Sequence, residues 1–406
     1  MRQLLSGRGQ LCGVVCAVVI SLYLYGCSNE MNNPTMSGSL SGIQAPTLAK
    51  HGLTSSSQVN LVANLASYSA RKIDVNLANA WGIAFTPTGK IWISANHSGL
   101  SVIYDTSGTT QRTPVIIPSE DSSGGGAPSG VVFNSTTGFV IPATGEISKF
   151  IFSSEDGIIS AWSSGSNALN VADRSSSGTV YKGLALAFNN GQPYLYATDF
   201  RNGKVDVLDI HFHYVSSISL KDPGIPSGYA PFGIQNIDGF LFVTYAKQKG
   251  PDNMDDQAGP GFGYVDVYRP GGKLVSRFAS QGALNSPWGI AKAPDGGFGK
   301  FGDAILIGNF GDGRINAFSE YGKFLGPVSD SAGNPIAIEG LWGLSFGNQN
   351  NGSGYSVMDD GHDGGNDNHD GGSMRSLPLK LYFTAGPNDE SDGLFGYITS
   401  SVNFHK

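Results

Sequence analysis

The stretch from Asn285 to Pro294 reads NSPWGIAKAP. A proline and a tryptophan stand before a glycine, and an apolar run follows. This is how a short buried strand starts out of a turn. The phrase returns along the chain as NAWGIAF (79–85), APSGVVF (127–133), VYKGLALAF (180–188), YAPFGIQNI (229–237) and GLWGLSFG (340–347). The shared glycines are Gly82, Gly130, Gly183, Gly233, Gly289 and Gly343, spaced 48, 53, 50, 56 and 54 residues apart. A near-constant period of this length is the mark of a repeat architecture.

Each unit continues in the same way. A second apolar run follows the first, as in KIWISAN (90–96), YLYATDF (194–200) and AILIGNF (304–310). A turn and a third run come next, as in GKVDVLD (203–209) and GRINAF (313–318), and a weaker fourth run closes most units. The runs are short, rich in β-branched and aromatic residues, and bounded by Gly, Asp, Asn and Pro. No segment keeps a helical period. The expected fold is all-β, a six-bladed β-propeller of four-stranded blades. Too few residues follow LFGYI (394–398) for a fourth strand in the last blade, while QVNLVANLASY (58–68) precedes the first blade without a partner. That N-terminal strand is expected to close the last blade; a separate N-terminal hairpin is the other way to place it.

Bulk composition agrees. Of 406 residues 58 are glycine, about twice the usual share, and only 14% are charged. The formal net charge of −7 argues against a nucleic-acid partner, which needs a basic surface. The three cysteines, Cys12, Cys16 and Cys27, all lie near the N-terminus, so no cysteine chemistry is expected in the repeat region. Arg2 and Arg8 precede an apolar run at 11–24, too short for a bilayer span of about 20 residues. This reads as an export signal. LYGC (24–27) resembles the bacterial lipoprotein box, which implies lipidation of Cys27; an ordinary secretory signal cut nearby is the alternative. Residues 1–27 are thus read as signal and lipidation site, 28–57 as a flexible tether, and 58–400 as the propeller. The expected location is the cell envelope, as an outer-membrane or surface lipoprotein that meets the membrane only through its lipid.

A family resemblance rests on EDGIISAW, VYKGLALA, LYATDFRNGKVDVLD, YAPFGIQ, SPWGIA, GNFGDGRINAF and LWGLSFG, in that order. Together they resemble an uncharacterised family of exported bacterial six-bladed propellers related to the NHL and gluconolactonase-like groups. The resemblance spans about residues 58–400. It implies the fold and carries no established activity.

In a propeller the entries to the inner strands and the turns after the second strands open on one face. The residues just before the shared glycines are Trp81, Ser129, Lys182, Phe232, Trp288 and Trp342. The gluconolactonase-like resemblance implies Asn or Asp metal ligands at such entries, and this chain departs from that. Aromatic residues with one cation suit a flat or apolar ligand or a sugar ring, so Trp81, Lys182, Phe232, Trp288 and Trp342 are the candidate ligand-binding set. The alternative is that each tryptophan wedges neighbouring blades. The turns after the second strands carry Asn96, His97, Glu155, Asp156, Asp199, Asn309 and Asp312, and Asp389 and Glu390 add to them. Oxygen ligands of this kind suit Ca²⁺ or Mg²⁺, with Asp199, Asn309, Asn96 and Glu155 as the candidate set; Asn and Asp are equally the residues that open tight turns. The insertion at 248–263 is placed over the site face with Asp252, Asp255 and Asp256, and the Asp-, Gly- and His-rich 355–375 on the opposite face. No catalytic set is legible. The expected function is a module that binds a small molecule, a glycan or a protein at the channel mouth. A metal-dependent lactone hydrolase or lyase and a purely structural envelope protein are the competing readings.

Overall fold

The computed structural model describes residues 53–121, 125–347 and 379–403. Cys27, the rest of the signal segment, most of the tether and the 355–375 insertion lie outside the described residues. The described chain forms six sheets that are the blades of a β-propeller, antiparallel but for a short parallel pairing of Val62 and Ala63 with Lys72 and Ile73.

The inner strands are Ala80–Phe85, Pro128–Phe133, Tyr181–Asn189, Tyr229–Ile237, Pro287–Lys292 and Leu341–Ser345. Each begins within one or two residues of its Trp-Gly or equivalent dipeptide, except for Tyr229, three residues ahead of Phe232. The fourth position of blade three is reduced to a single bridge between Leu208 and Tyr214. The ring closes through Leu53–Ala63, which pairs antiparallel with Leu394–Asn403 as the outer strand of blade six. It is not a separate hairpin, and it starts at Leu53, so residues 53–57 belong to the propeller and not to the tether. Ser56 Oγ donates to Ser400 Oγ at 3.0 Å across this seam.

The shared glycines have a packing cause. In every blade the register between inner and second strands shifts at the glycine. This bulge brings the backbone against the next blade. A Cβ on Gly233 would lie 2.1 Å from the Trp288 carbonyl oxygen, and one on Gly289 2.4 Å from that of Trp342. A Cβ on Gly343 would in turn meet the Trp81 carbonyl oxygen at 2.8 Å, completing the circle. Only glycine permits that approach. In four of the blades a hydroxyl from the second strand accepts from the glycine N–H. Thr198, Thr244 and Thr384 accept from Gly183, Gly233 and Gly343 at 2.8 Å each, and Ser153 accepts from Gly130 at 3.1 Å. Thr198 also donates to the Phe232 carbonyl at 2.7 Å, tying blade three to blade four.

Candidate functional site

The face where the inner strands begin is the entry face. There the residues before the glycines meet on the axis. Trp81 stacks on Trp342 with centroids 3.7 Å apart, and Phe310 covers the other side of Trp342 at 4.0 Å. Trp288 stands edge-on to Trp342 at 5.6 Å, and Phe232 packs beside it. Trp81, Phe232, Trp288 and Trp342 are all buried in one cluster. Trp81, Phe232, Trp288 and Trp342, expected as ligand-binding residues at the channel mouth, are instead buried below it. With six blades converging, the rings fill the narrow axis and become a floor beneath the mouth. Ser129 is also buried, and its hydroxyl donates to the Tyr181 carbonyl at 2.7 Å, a contact between blades.

Above the floor lies a polar chain from five blades. Trp342 Nε1 donates to Asn79 Oδ1 at 3.2 Å, and Asn79 Nδ2 donates to Glu390 Oε2 at 2.7 Å. Asn96 Nδ2 donates to Glu155 Oε2 at 2.8 Å. The other oxygen of Glu155 takes the ammonium of Lys182. Asp255, from the blade-four insertion, stands 3.5 Å from the same ammonium. Lys182 Nζ lies 5.1 Å from the centre of the Trp81 ring, and Trp288 Nε1 donates to the Lys182 carbonyl at 3.2 Å. Lys182 is only 3% exposed, Glu155 24% and Asp255 71%. The mouth thus presents carboxylates to solvent and keeps its one cation below them.

The local backbone explains the placement. Asn79 adopts φ 49°, and Asn388, Asp389 and Glu390 are all left-handed, the last at φ 65°. That tight turn carries Glu390 back over blade one. Such geometry is uncommon outside glycine and asparagine.

Burial by itself would push the Lys182 ammonium down. The charge and hydrogen bond of Glu155, with Asp255 and Glu390 behind it, outweigh burial and hold it above the usual lysine value. Lys182 is therefore held as an ammonium. Burial raises Glu390 to about 7 against the pull of Asn79 and Lys182, and the negative charges of Glu155 and Asp255 add to the rise. Asp256 is likewise pushed up, by burial first. Near neutrality the Glu390 carboxyl therefore divides between its protonated and ionised forms.

The four residues read as metal ligands do not make one site. Asn96 and Glu155 are together in the polar chain. Asp199 is buried at the end of its second strand, where it accepts from Asn202 Nδ2 at 2.9 Å and pairs with Lys204 at 3.1 Å. Asn309 Nδ2 donates to the Ala283 carbonyl at 2.8 Å and to Asp312 Oδ1 at 3.1 Å. Both hold turns. Among the described residues no group of three or more His, Cys, Asp or Glu could hold a metal ion. Where carboxylates of different blades do converge, the Lys182 ammonium stands between them. Asp199, Asn309, Asn96 and Glu155 therefore do not form the Ca²⁺ or Mg²⁺ site expected from their oxygen ligands. His97 is exposed on the turn Asn96–Ser98. Asp156 accepts from the Ala127 N–H at 2.8 Å, also a turn role. Asn79 was missed by the sequence reading, although its side chain joins the floor to Glu390.

No family model matches the chain. It is 33% identical over 301 residues to an uncharacterised protein of Acanthamoeba polyphaga mimivirus, a match covering 71% of this chain and 78% of that one. A second uncharacterised mimivirus protein is 31% identical over 303 residues, covering 71% of this chain and 73% of its own length. Among solved structures, a protein of unknown function from Bacteroides thetaiotaomicron aligns with TM-score 0.51 at 11% identity, over 85% of this chain and 76% of that one. A streptogramin B lyase aligns with TM-score 0.47 at 11% identity, over 86% of this chain and 98% of the lyase. A gluconolactonase from Xanthomonas campestris aligns with TM-score 0.46 at 12% identity, over 80% of this chain and 86% of its own. At these identities the likeness concerns the fold, and fold does not carry activity.

Proposed function

Since the chain belongs to the same family as these uncharacterised mimivirus proteins, we propose that its propeller is a binding module whose entry-face mouth holds a small molecule, a glycan or a protruding protein segment. The observation that supports this reading is the Lys182 ammonium, buried under Glu155 and Asp255 and over Trp81. A buried ion pair costs desolvation and is a weak source of stability. Here it holds Glu155 in place while Asp255 reaches into solvent. A ligand arriving at the mouth meets carboxylate acceptors first, so hydroxyl and amine hydrogens are the groups it recognises. The aromatic residues support the site from below.

Titration calorimetry with neutral sugars, amino sugars and short basic peptides tests the reading. Saturable binding that weakens at least tenfold in Asp255→Asn supports it. No binding, together with divalent-ion-dependent turnover of a lactone, would replace it with the hydrolase reading.

The export signal and lipid anchor belong to the same proposal. They rest on the apolar run at 11–24 and on LYGC ending at Cys27. In a bacterial host the full chain incorporates labelled palmitate and fractionates with the envelope, and Cys27→Ser removes the label. An unlabelled wild-type chain in the soluble fraction would refute the anchor.

A further inference from the structure

We propose that the opposite end of the channel is a second ligand site, for a small amphiphile with an aromatic or short aliphatic body and a hydrogen-bonding head. This inference is independent of the entry-face reading.

The inner strands end on this exit face. Moving along the axis from the aromatic floor, the next layer is the set of residues that follow the glycines: Ile83, Val131, Leu184, Ile234, Ile290 and Leu344. All but Leu184 and Leu344 are β-branched, and all six line the narrow centre of the channel. That layer and the rings above it close the channel. What remains below is a blind funnel of about 630 Å³, within the size range of small-molecule sites.

The funnel is lopsided. Blades one to four line it; apart from Ser135 of blade two, its polar side chains come from blade four. Phe85, Phe133, Leu186 and Phe188 form the apolar side, and Phe188 is 51% exposed. An exposed aromatic side chain beside a blind cavity leaves apolar area in water that a ligand body would cover. Blade four supplies the polar side through Asn236 and Asp238. Asn236 Nδ2 is fixed by the Leu186 carbonyl at 2.9 Å, and Asp238 by Lys292 at 2.5 Å. Both groups are thus positioned before any ligand arrives. One apolar wall facing one fixed polar wall selects a molecule that is itself divided in this way. A wholly apolar ligand would leave the polar wall desolvated, which is costly.

The probe for the test is N-phenyl-1-naphthylamine, an aromatic body with one N–H. Titration of the full chain should give saturable one-to-one binding with rising fluorescence. Leu186→Trp fills the funnel and should weaken binding at least tenfold. Phe188→Ser removes exposed area that little packing depends on, and should weaken it about three- to tenfold. Circular dichroism and thermal midpoint establish that each variant is folded. If Leu186→Trp does not fold, Phe188→Ser decides alone. Non-saturable binding, or wild-type affinity in a folded variant, overturns the proposal.

Discussion

The ammonium of Lys182, carried by the first strand of blade three, is bonded to the carboxylate of Glu155, in the turn after the second strand of blade two. The two residues are held by different blades, so their separation reports how closely the blades approach at the axis. Glu155→Gln leaves the buried ammonium with the exposed Asp255 and the more distant Glu390. Breaking a buried pair in this way costs about 3 kcal/mol. Lys182→Met keeps the stem and removes the charge, and its cost is smaller because Glu155 is partly hydrated. The double variant should recover much of the loss. Urea denaturation of all four proteins measures the coupling, and coupling within about 0.5 kcal/mol of zero would show the pair to be idle.

Glu390 sets a pH dependence of unusual sign. Its folded value is about 7 against an ordinary 4.5. Between those values the folded chain keeps a proton that the unfolded chain releases. The contribution of this group is therefore most favourable below about pH 4.5, declines as pH rises to 7, and is flat above. The span corresponds to an upper bound of roughly 3 kcal/mol. Glu390→Gln should be more stable than wild type at pH 8 and lose that advantage at pH 5. Denaturant midpoints at the two pH values give the comparison, and an equal difference at both would contradict it.

Gly233→Ala and Gly289→Ala test the close approach of neighbouring blades. Each new Cβ would sit within 2.1–2.4 Å of the next blade's carbonyl oxygen. Backbone cannot yield as a flexible side chain does, so about 3 kcal/mol is expected, the upper end for overpacking. Gly89→Ala is the control, with φ 82° and open space around it. It should cost only about 1 kcal/mol, through backbone strain. Equal losses at all three sites would remove the packing explanation.

The seam between Ser56 and Ser400 can be locked. The two residues are directly opposite in the closing pair of strands. Ser56→Cys with Ser400→Cys should oxidise readily and stabilise the ring by about 2–4 kcal/mol. The midpoint should fall back on reduction. Failure of the pair to oxidise would mean that the strands are not in this register.

Much of the fold was legible because its signals are local. The 48–56-residue spacing of the glycines, the alternation of each run and the unpaired segment before blade one are all visible along the chain. The hydroxyl staples were legible too, though they were not read. A Ser or Thr near the end of the second strand recurs as Ser153, Thr198, Thr244 and Thr384. The site was less legible. Asp199 and Asn309 occupy matching positions in their blades, which suggested shared ligation. Each is instead absorbed by its own turn, because a short polar side chain finds a neighbouring N–H or amide before it reaches the axis.

By itself the sequence determined the number of blades and the entry of each inner strand, since these follow from periods of two and about fifty residues. Only the tertiary structure decided that Trp81, Trp288 and Trp342 face one another as a floor. It alone brought Asn79, Glu155, Lys182, Asp255 and Glu390 into one polar chain. The reason is geometric. Those residues come from separate blades, and whether they meet depends on the width of the axis. That width is set by glycine-to-carbonyl contacts between blades, which no pattern along a single strand records.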